Sequence, residues 1–332
     1  MATPTGQADR GRSGGGGARR RAARRGRSAA GAHVPVLVRR VLRHLRPRAG
    51  EVVADCTLGY GGHAVELLER IGPDGRLIGL DVDGAQLQRA RRRLAEMQAP
   101  AVVRRRNFAE LAAVMESEGL DGFNIIFADL GVSSMQVDEP SRGISYRSDG
   151  PLDMRMDDRL AKTGADVLAA LSRDELSAAL RDLSDEPDHE RIAEWIVNQR
   201  RAGPIERVDQ LVRLVLNAKG IVPRRDRRPR WDEYGPQHPA ARTFQALRIL
   251  VNDELGNLER LLAAAPSCLR PGGRVGIISF HSGEDRLVKQ AFREGLRSGV
   301  YSAVAAKPVT PGPREIRTNP RSASAKFRWA KR

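Results

Sequence analysis

Short apolar runs alternating with helix-period segments constrain this chain more than any other feature. Glu51–Asp55, Arg76–Leu80, Ala101–Arg105 and Phe123–Asp129 read as buried strands, and the spacing of Ala85–Met97 predicts an amphipathic helix between two of them. Such alternation builds a mostly parallel sheet wound on both faces. From about 138 to 238 it stops. Helical spacing continues at Ala165–Leu171, Arg173–Leu183, Glu190–Arg201 and Val208–Ala218, without a clear strand. It resumes with Thr243–Ala264, read as one long helix, then a strand at Arg274–Phe280 and a helix at Glu284–Arg297. The expected fold is α/β and doubly wound. Its sheet domain is split between 32–137 and 239–332, with an all-helical insertion at 138–238 between the fourth and fifth strands. No internal repeat is visible.

Charge narrows the partners. The formal net charge is +16, and such a field attracts polyanions. Residues 1–31 hold Arg10, Arg12, Arg19, Arg20, Arg21, Arg24, Arg25 and Arg27 against the single acid Asp9. Almost no large apolar side chain accompanies them, so this segment is expected to be a disordered basic arm. A transit peptide is the competing reading; the Gly14–Gly17 block, which lacks an amphipathic apolar face, counts against it. Further basic runs are Arg224, Arg225, Arg227, Arg228 and Arg230, and a C-terminal tail of Arg314, Arg317, Arg321, Lys326, Arg328, Lys331 and Arg332. Three separate clusters favour an RNA-facing surface over incidental solvated charge. No apolar run is long enough to span a membrane. Cys56 and Cys268 form no C-x-x-C pair, which suits a reducing, cytoplasmic setting.

The segment Asp55-Cys56-Thr57-Leu58-Gly59-Tyr60-Gly61-Gly62-His63 lies between the first strand and the first long helix after it. Glycines let the backbone turn sharply and approach a ligand, and the helix start offers free N–H groups. Asp81 follows Gly59 by 22 residues, a spacing at which an acid accepts from ribose hydroxyls. A nicotinamide enzyme would carry G-x-G-x-x-G around a pyrophosphate. The G-x-G-G-H spacing here, after an acid on the strand, favours an adenosyl ligand bearing an amino-acid group and leaves an oxidoreductase as the alternative. Phe108, after Asn107, is a candidate to stack on an adenine. No His, Cys or carboxylate cluster has metal-ligand spacing, so no metal is expected.

Ligands of doubly wound sheets bind beyond the carboxyl ends of the strands. That places Asp129 and Gln136, in D-L-G-V-S-S-M-Q at 129–136, beside cofactor or substrate. Arg142–Tyr146, Gly150–Met156 and Phe280–Arg286 add polar groups at strand ends and loops.

With D-L-G-V-S-S at 129–134, G-P-L-D-M-R-M at 150–156, F-Q-A-L-R-I at 244–249 and I-S-F-H-S at 278–282, the chain resembles the RsmH (MraW) family of ribosomal small-subunit RNA cytosine-N4 methyltransferases. The resemblance runs from His33-Val34-Pro35-Val36-Leu37 to Asn319-Pro320-Arg321. It implies a Rossmann-like class I methyltransferase using S-adenosyl-L-methionine, and as substrate a cytosine of 16S ribosomal RNA in the decoding region. It carries the family's cofactor contacts onto Gly61, Gly62, His63, Asp81, Phe108, Asp129 and Gln136. Departures are Gly283 where the family has leucine, R-G-I-S at 142–145, and N-P-R-S-A-S-A at 319–325, which lacks one arginine.

The amine of cytosine is a weak nucleophile because its lone pair is delocalised into the ring. An enzyme must align it with the methyl donor and accept its hydrogen bonds, and positioning supplies much of the barrier reduction. The base is expected to arrive unstacked. Asp129 or the Ser133/Ser134 backbone is expected to accept from its amine, with Asp153, Arg155, His281 and Asp285 as candidates to orient base or phosphate. The expected partner is the small ribosomal subunit or its RNA, with monomer and homodimer both open. A non-catalytic assembly protein on the same fold is the rival of another class. A DNA amine methyltransferase would show a Ser/Asp-Pro-Pro-Tyr string, which is absent.

Overall fold

The computed structural model describes residues 35–221 and 238–332. The basic arm expected at 1–31 and Arg224, Arg225, Arg227, Arg228 and Arg230 lie outside the described residues. In chain order the elements are α1 (Val38–Leu45), β1 (Val52–Asp55), α2 (Gly62–Ile71), β2 (Arg76–Asp81), α3 (Gly84–Glu96), β3 (Ala101–Arg105), α4 (Leu111–Ser117) and β4 (Phe123–Asp129). Then come α5 (Ser134–Asp138), α6 (Gly164–Ala170), α7 (Arg173–Ser184), α8 (His189–Ala202), α9 (Val208–Ala218), α10 (Ala241–Asn252) and α11 (Glu254–Cys268). The last are β5 (Leu269–Ser279), α12 (Ser282–Arg297), β6 (Ala303–Val304), α13 (Pro313–Thr318) and β7 (Lys326–Lys331).

The seven strands form one sheet in the order β3-β2-β1-β4-β5-β7-β6. β1 to β5 pair in parallel, and β7 runs antiparallel between β5 and β6. The chain winds outward from β1 to β3 and then returns to β4, so the order reverses between β1 and β4. That reversal opens a crevice beyond the carboxyl ends of both strands.

Alternation along each strand sends neighbours to opposite faces. Val53, Leu77, Ile125 and Phe127 pack beneath Val41 and Leu45 of α1, Leu67 and Ile71 of α2, and Leu87 and Leu94 of α3. Ala54, Ile78, Ile126 and Val275 face Leu111 of α4, Leu258 and Leu261 of α11, and Val288 and Phe292 of α12. A separate apolar cluster joins α6 to α10 through residues such as Leu168, Leu180, Ile192, Leu211, Val215 and Leu247. Among the described residues no helix is long and apolar enough to cross a membrane.

The structure corrects two expectations. Thr243–Ala264 is not one helix. Asp253 takes a left-handed conformation (φ 49°) and separates α10 from α11. Aspartate tolerates this backbone better than most residues, and helical periodicity on both sides hides the corner. The corner is locked by Asn252, whose amide donates to the Met154 and Arg248 carbonyls at 2.8 Å each. The second correction concerns the C-terminal basic run, which is not all surface tail. Lys326–Lys331 is β7, paired along β5 from Ser279↔Lys326 to Arg274↔Lys331. Its Phe327 is fully buried, and Arg328 is only 6% exposed.

Arg328 donates to both Asp285 carboxylate oxygens, at 2.7 and 3.2 Å, with Lys326 3.5 Å away. Burial pushes the Asp285 carboxyl up, but Arg328 and Lys326 outweigh that and hold it below its ordinary range. Removing one partner of a buried ion pair strands the other charge. Arg328→Ala is therefore expected to lower unfolding stability by about 3 kcal/mol. Urea denaturation checks this, and a change under about 0.5 kcal/mol, typical of a surface site, would contradict the clamp.

Candidate active site

The loop after β1 is shaped by close backbone contacts. Gly59 (φ 51°) and Gly61 (φ 75°) occupy the left-handed region that disfavours side chains. At Gly62 a Cβ would stand 2.7 Å from the Pro35 ring, so only glycine lets α1's leading segment close on the start of α2. The Gly59 N–H donates to Asp81 Oδ2 at 2.8 Å, tying the loop to the end of β2. The Thr57 hydroxyl accepts from the Asp129 N–H at 2.6 Å, tying it to the end of β4.

Three carboxylates thus gather at the reversal point: Asp55 on β1, Asp81 on β2 and Asp129 on β4. Asp55 is 1% exposed. Its Oδ1 accepts from Thr57 N–H at 3.2 Å, while its Oδ2 has no donor. Asp129 Oδ1 is likewise buried without a partner, as are Gln86 Oε1 and His63 Nε2. His63 Nε2 stands 3.4 Å from Asp129 Oδ2, close enough for charge attraction but without hydrogen-bond geometry. The His63 ring lies tilted against Phe127, with centroids 4.6 Å apart.

Buried polar groups in folded proteins are almost always paired, so several orphans around one crevice call for a ligand. Most of these orphans are acceptors beside other acids. They fit a ligand that brings donors and positive charge, such as ribose hydroxyls, an ammonium and a sulfonium. A pyrophosphate would bring only more acceptors and like charge. Burial pushes the Asp55 carboxyl up to about 7, partly offset by His63. Burial likewise pushes Asp81 up to about 6, against the lowering pull of the Asp83 and Gly59 N–H groups.

Asp83 is the residue that sequence reasoning missed. At 2% exposure it caps α3 by accepting from the Ala85 and Gln86 N–H groups at 2.9 and 3.2 Å. The same carboxylate accepts from Gln136 Nε2 at 3.0 Å and Arg142 Nη2 at 2.9 Å. Arg142 in turn donates to the carbonyls of Arg155 and Met156, both at 3.1 Å. One buried acid therefore joins the cofactor side of the crevice to the 150s loop. The available signal was Asp-Gly at the head of a helix, a cap signature. Gln136 is 6% exposed, and its amide oxygen also accepts from Ser133 N–H at 2.9 Å, capping α5. Phe108 opens a short 3-10 turn after β3 and packs at the margin of the main core.

The other expected residues are placed differently. Asp153 and Arg155 hold each other through contacts of 2.8–3.0 Å, and Arg155 also donates to the Leu160 carbonyl. Asp285 is held by Arg328, as described above. All three are engaged in ion pairs within the protein. His281 lies just beyond β5 and caps α12, its Nδ1 accepting from the Glu284 N–H at 3.4 Å. Its Nε2 lies 3.3 Å from Glu284 Oε1. Glu254, His281 and Glu284 bring one ligand atom each within 4.8 Å of one another. Arg248, however, grips Glu254 at 2.8 and 2.9 Å and already supplies the positive charge there.

A Rossmann-like sheet with its acid-lined, donor-seeking crevice at the β1/β4 reversal defines a class I S-adenosylmethionine-dependent methyltransferase. The chain belongs to the MraW methylase family, which it matches over residues 30–332. It is 44% identical over 316 residues to the ribosomal RNA small subunit methyltransferase H of Geobacter sulfurreducens, covering 91% of this chain and 99% of that protein. To the protein of the same name from Symbiobacterium thermophilum it is 43% identical over 311 residues, covering 89% and 95%. To that of Acidobacterium capsulatum it is 42% identical over 307 residues, covering 90% and 98%.

Donors entering the crevice favour ionised Asp55 and Asp81, so their pKa values must fall on binding. Binding therefore releases protons, and affinity rises with pH through the window from about 6 to about 7 and flattens above it. Calorimetry of S-adenosylmethionine binding in two buffers of different ionisation enthalpy measures the release. Asp55→Asn should reduce it. Binding at pH 6.5 with no proton exchange would contradict this.

Proposed function

We propose that the chain transfers a methyl group from S-adenosylmethionine to the exocyclic N4 of a cytosine in the decoding region of 16S ribosomal RNA, in the cytoplasm. Family membership, the curated relatives that share the small-subunit name and the donor-seeking crevice support this reading. The observation that carries it is the set of buried, unpartnered acceptors on Asp55 and Asp129. A sulfonium donor supplies an already activated methyl group, so no protein nucleophile is needed. Cys56 and Cys268 are both buried, consistent with packing.

In this account Gly61, Gly62 and His63 hold the amino-acid end of the cofactor. Asp81 takes the ribose hydroxyls and Phe108 the adenine side. Asp83 and Gln136 fix the loop between β4 and α5. Asp129 sits where cofactor and base meet, its backbone anchored by Thr57 and its Oδ1 without a partner. It accepts a hydrogen bond from the cytosine amine as the nitrogen pyramidalises. The inserted module expected at residues 138–238 recognises the RNA around the target. Asp153 and Arg155 act as positioning residues, because their mutual ion pair shapes the loop that Arg142 ties to Asp83. His281, capping α12 at the end of β5, supports the far wall.

Mass mapping of small-subunit RNA with and without this protein tests the reading. N4-methylcytidine should appear in the decoding region only when the protein is present. Small subunits that bind the protein yet remain unmethylated would instead indicate a catalytically silent assembly factor. Asp129→Asn keeps the shape but alters the acceptor. It should lower kcat by about a hundredfold, the usual scale for one lost preorganised contact. Near-wild-type turnover would remove Asp129 from the chemistry.

A further inference from the structure

Helix α3 carries an arginine face that the crevice does not use. Arg89, Arg92 and Arg93 fall at i, i+3 and i+4 on the exposed side of the helix, with Arg91 on its flank. Side chains at these spacings are neighbours on one surface. None of the four forms an ion pair with an acid among the described residues, although ion pairs are frequent elsewhere. Arg76, Arg104, Arg105, Arg106, Arg142 and Arg155, for example, all have carboxylate partners. Like charges at i and i+4 destabilise an isolated helix, and within the fold Arg89, Arg91 and Arg93 meet only neutral groups, with no acid to offset the repulsion.

The face borders the reaction site. Asp83, the buried hub, caps the same helix. Arg89 Nη1 lies 2.7 Å from the sulfur of Met135, in the segment between Asp129 and Gln136, and its guanidinium lies 5.7 Å from the centre of the Tyr60 ring. Arg93 donates to the Tyr60 carbonyl at 3.4 Å. The exposed positions of α3 are Ala85, Gln88, Arg89, Arg91, Arg92, Arg93, Ala95 and Glu96. They include no large apolar side chain, and the exposed Met97 at the C-cap stands alone, short of the apolar patch that docking of a membrane or a protein hot spot would require. Guanidinium groups without a carboxylate partner, beside a crevice that receives a base, suit one partner chemistry, the phosphate backbone of a nucleic acid.

We infer that the α3 face formed by Arg89, Arg92 and Arg93 is a docking track for the phosphates of the RNA strand that delivers the target base. This rests on the reading of the substrate as small-subunit RNA. The track fixes where that RNA crosses the protein, on the side of the sheet that bears α1, α2 and α3. Phosphate contacts of this kind position a strand without reading its sequence.

The test uses the full chain with small ribosomal subunits, reading binding by filter retention and methyl transfer separately. Among the described residues Arg92 makes no side-chain hydrogen bond or ion pair, so its replacement isolates the phosphate contact. Arg92→Glu should raise KM for subunits at least about fivefold, with kcat and S-adenosylmethionine affinity unchanged. Arg92→Ala should lower the slope of log affinity against log salt by about 1, and Arg92→Lys should restore it. Arg293→Ala, on α12 of the opposite sheet face, is the control and should change neither quantity. Unchanged KM and salt slope in Arg92→Glu would overturn the docking face, as would an equal effect from Arg293→Ala. Wild-type protein that binds subunits but transfers no methyl group would sink the proposed function instead, while filter retention would still judge the docking face.

Discussion

The structure depends on carboxylates gathered, largely buried, at the ends of parallel strands. Burying an acid with an unpaired oxygen is unfavourable, and this chain does so at both Asp55 and Asp129. Neighbouring protein groups satisfy only part of their capacity: the Thr57 N–H donates to Asp55 Oδ1, and His63 makes a long approach to Asp129 Oδ2. The remaining capacity defines the ligand by complementarity. A molecule with hydroxyls, an ammonium and a sulfonium relieves the crevice, whereas a diphosphate aggravates it.

The rest of the fold keeps those acids in place. The sheet reversal brings β1 and β4 side by side, with Asp55 opposite Phe127 in the register. Gly62 allows the segment before α1 to close against α2. Asp83 then links α3, Gln136 and Arg142, so the cofactor wall and the 150s loop share one buried ion pair. A rigid scaffold of this kind suits a reaction whose difficulty lies in aligning a weak nucleophile rather than in activating the donor. At the other edge, β7 extends the sheet and anchors α12 through Arg328 and Asp285.

Much of this was legible in the residues because local and global preferences agree. The buried strands from Val52 to Asp129 are short apolar runs bounded by turns, and the insertion helices carry clean periodicity and Ser or Thr caps, as at Thr163 and Ser172. The glycine loop and Asp81 announced a nucleotide-type site. What escaped detection depends on tertiary contact. The Asp253 corner has no glycine or proline to mark it. β7 reads K-F-R-W-A-K, and its cationic residues mask a strand whose Arg328 becomes buried only because Asp285 faces it. Asp83 escaped notice because two of its donors, Gln136 and Arg142, come from 53 and 59 residues away. The ion pairs of Asp153 with Arg155 and of Asp285 with Arg328 are invisible in the sequence, which does not show ion-pair partners.

A crystal structure of the protein grown with S-adenosylmethionine tests the central claim most directly. The account predicts a single ligand beyond β1 and β4, its ribose hydroxyls on Asp81 and its cationic end against Asp55 and Asp129, leaving neither acid with a buried orphan oxygen. A ligand seated elsewhere, with those two oxygens still unpartnered, would contradict it.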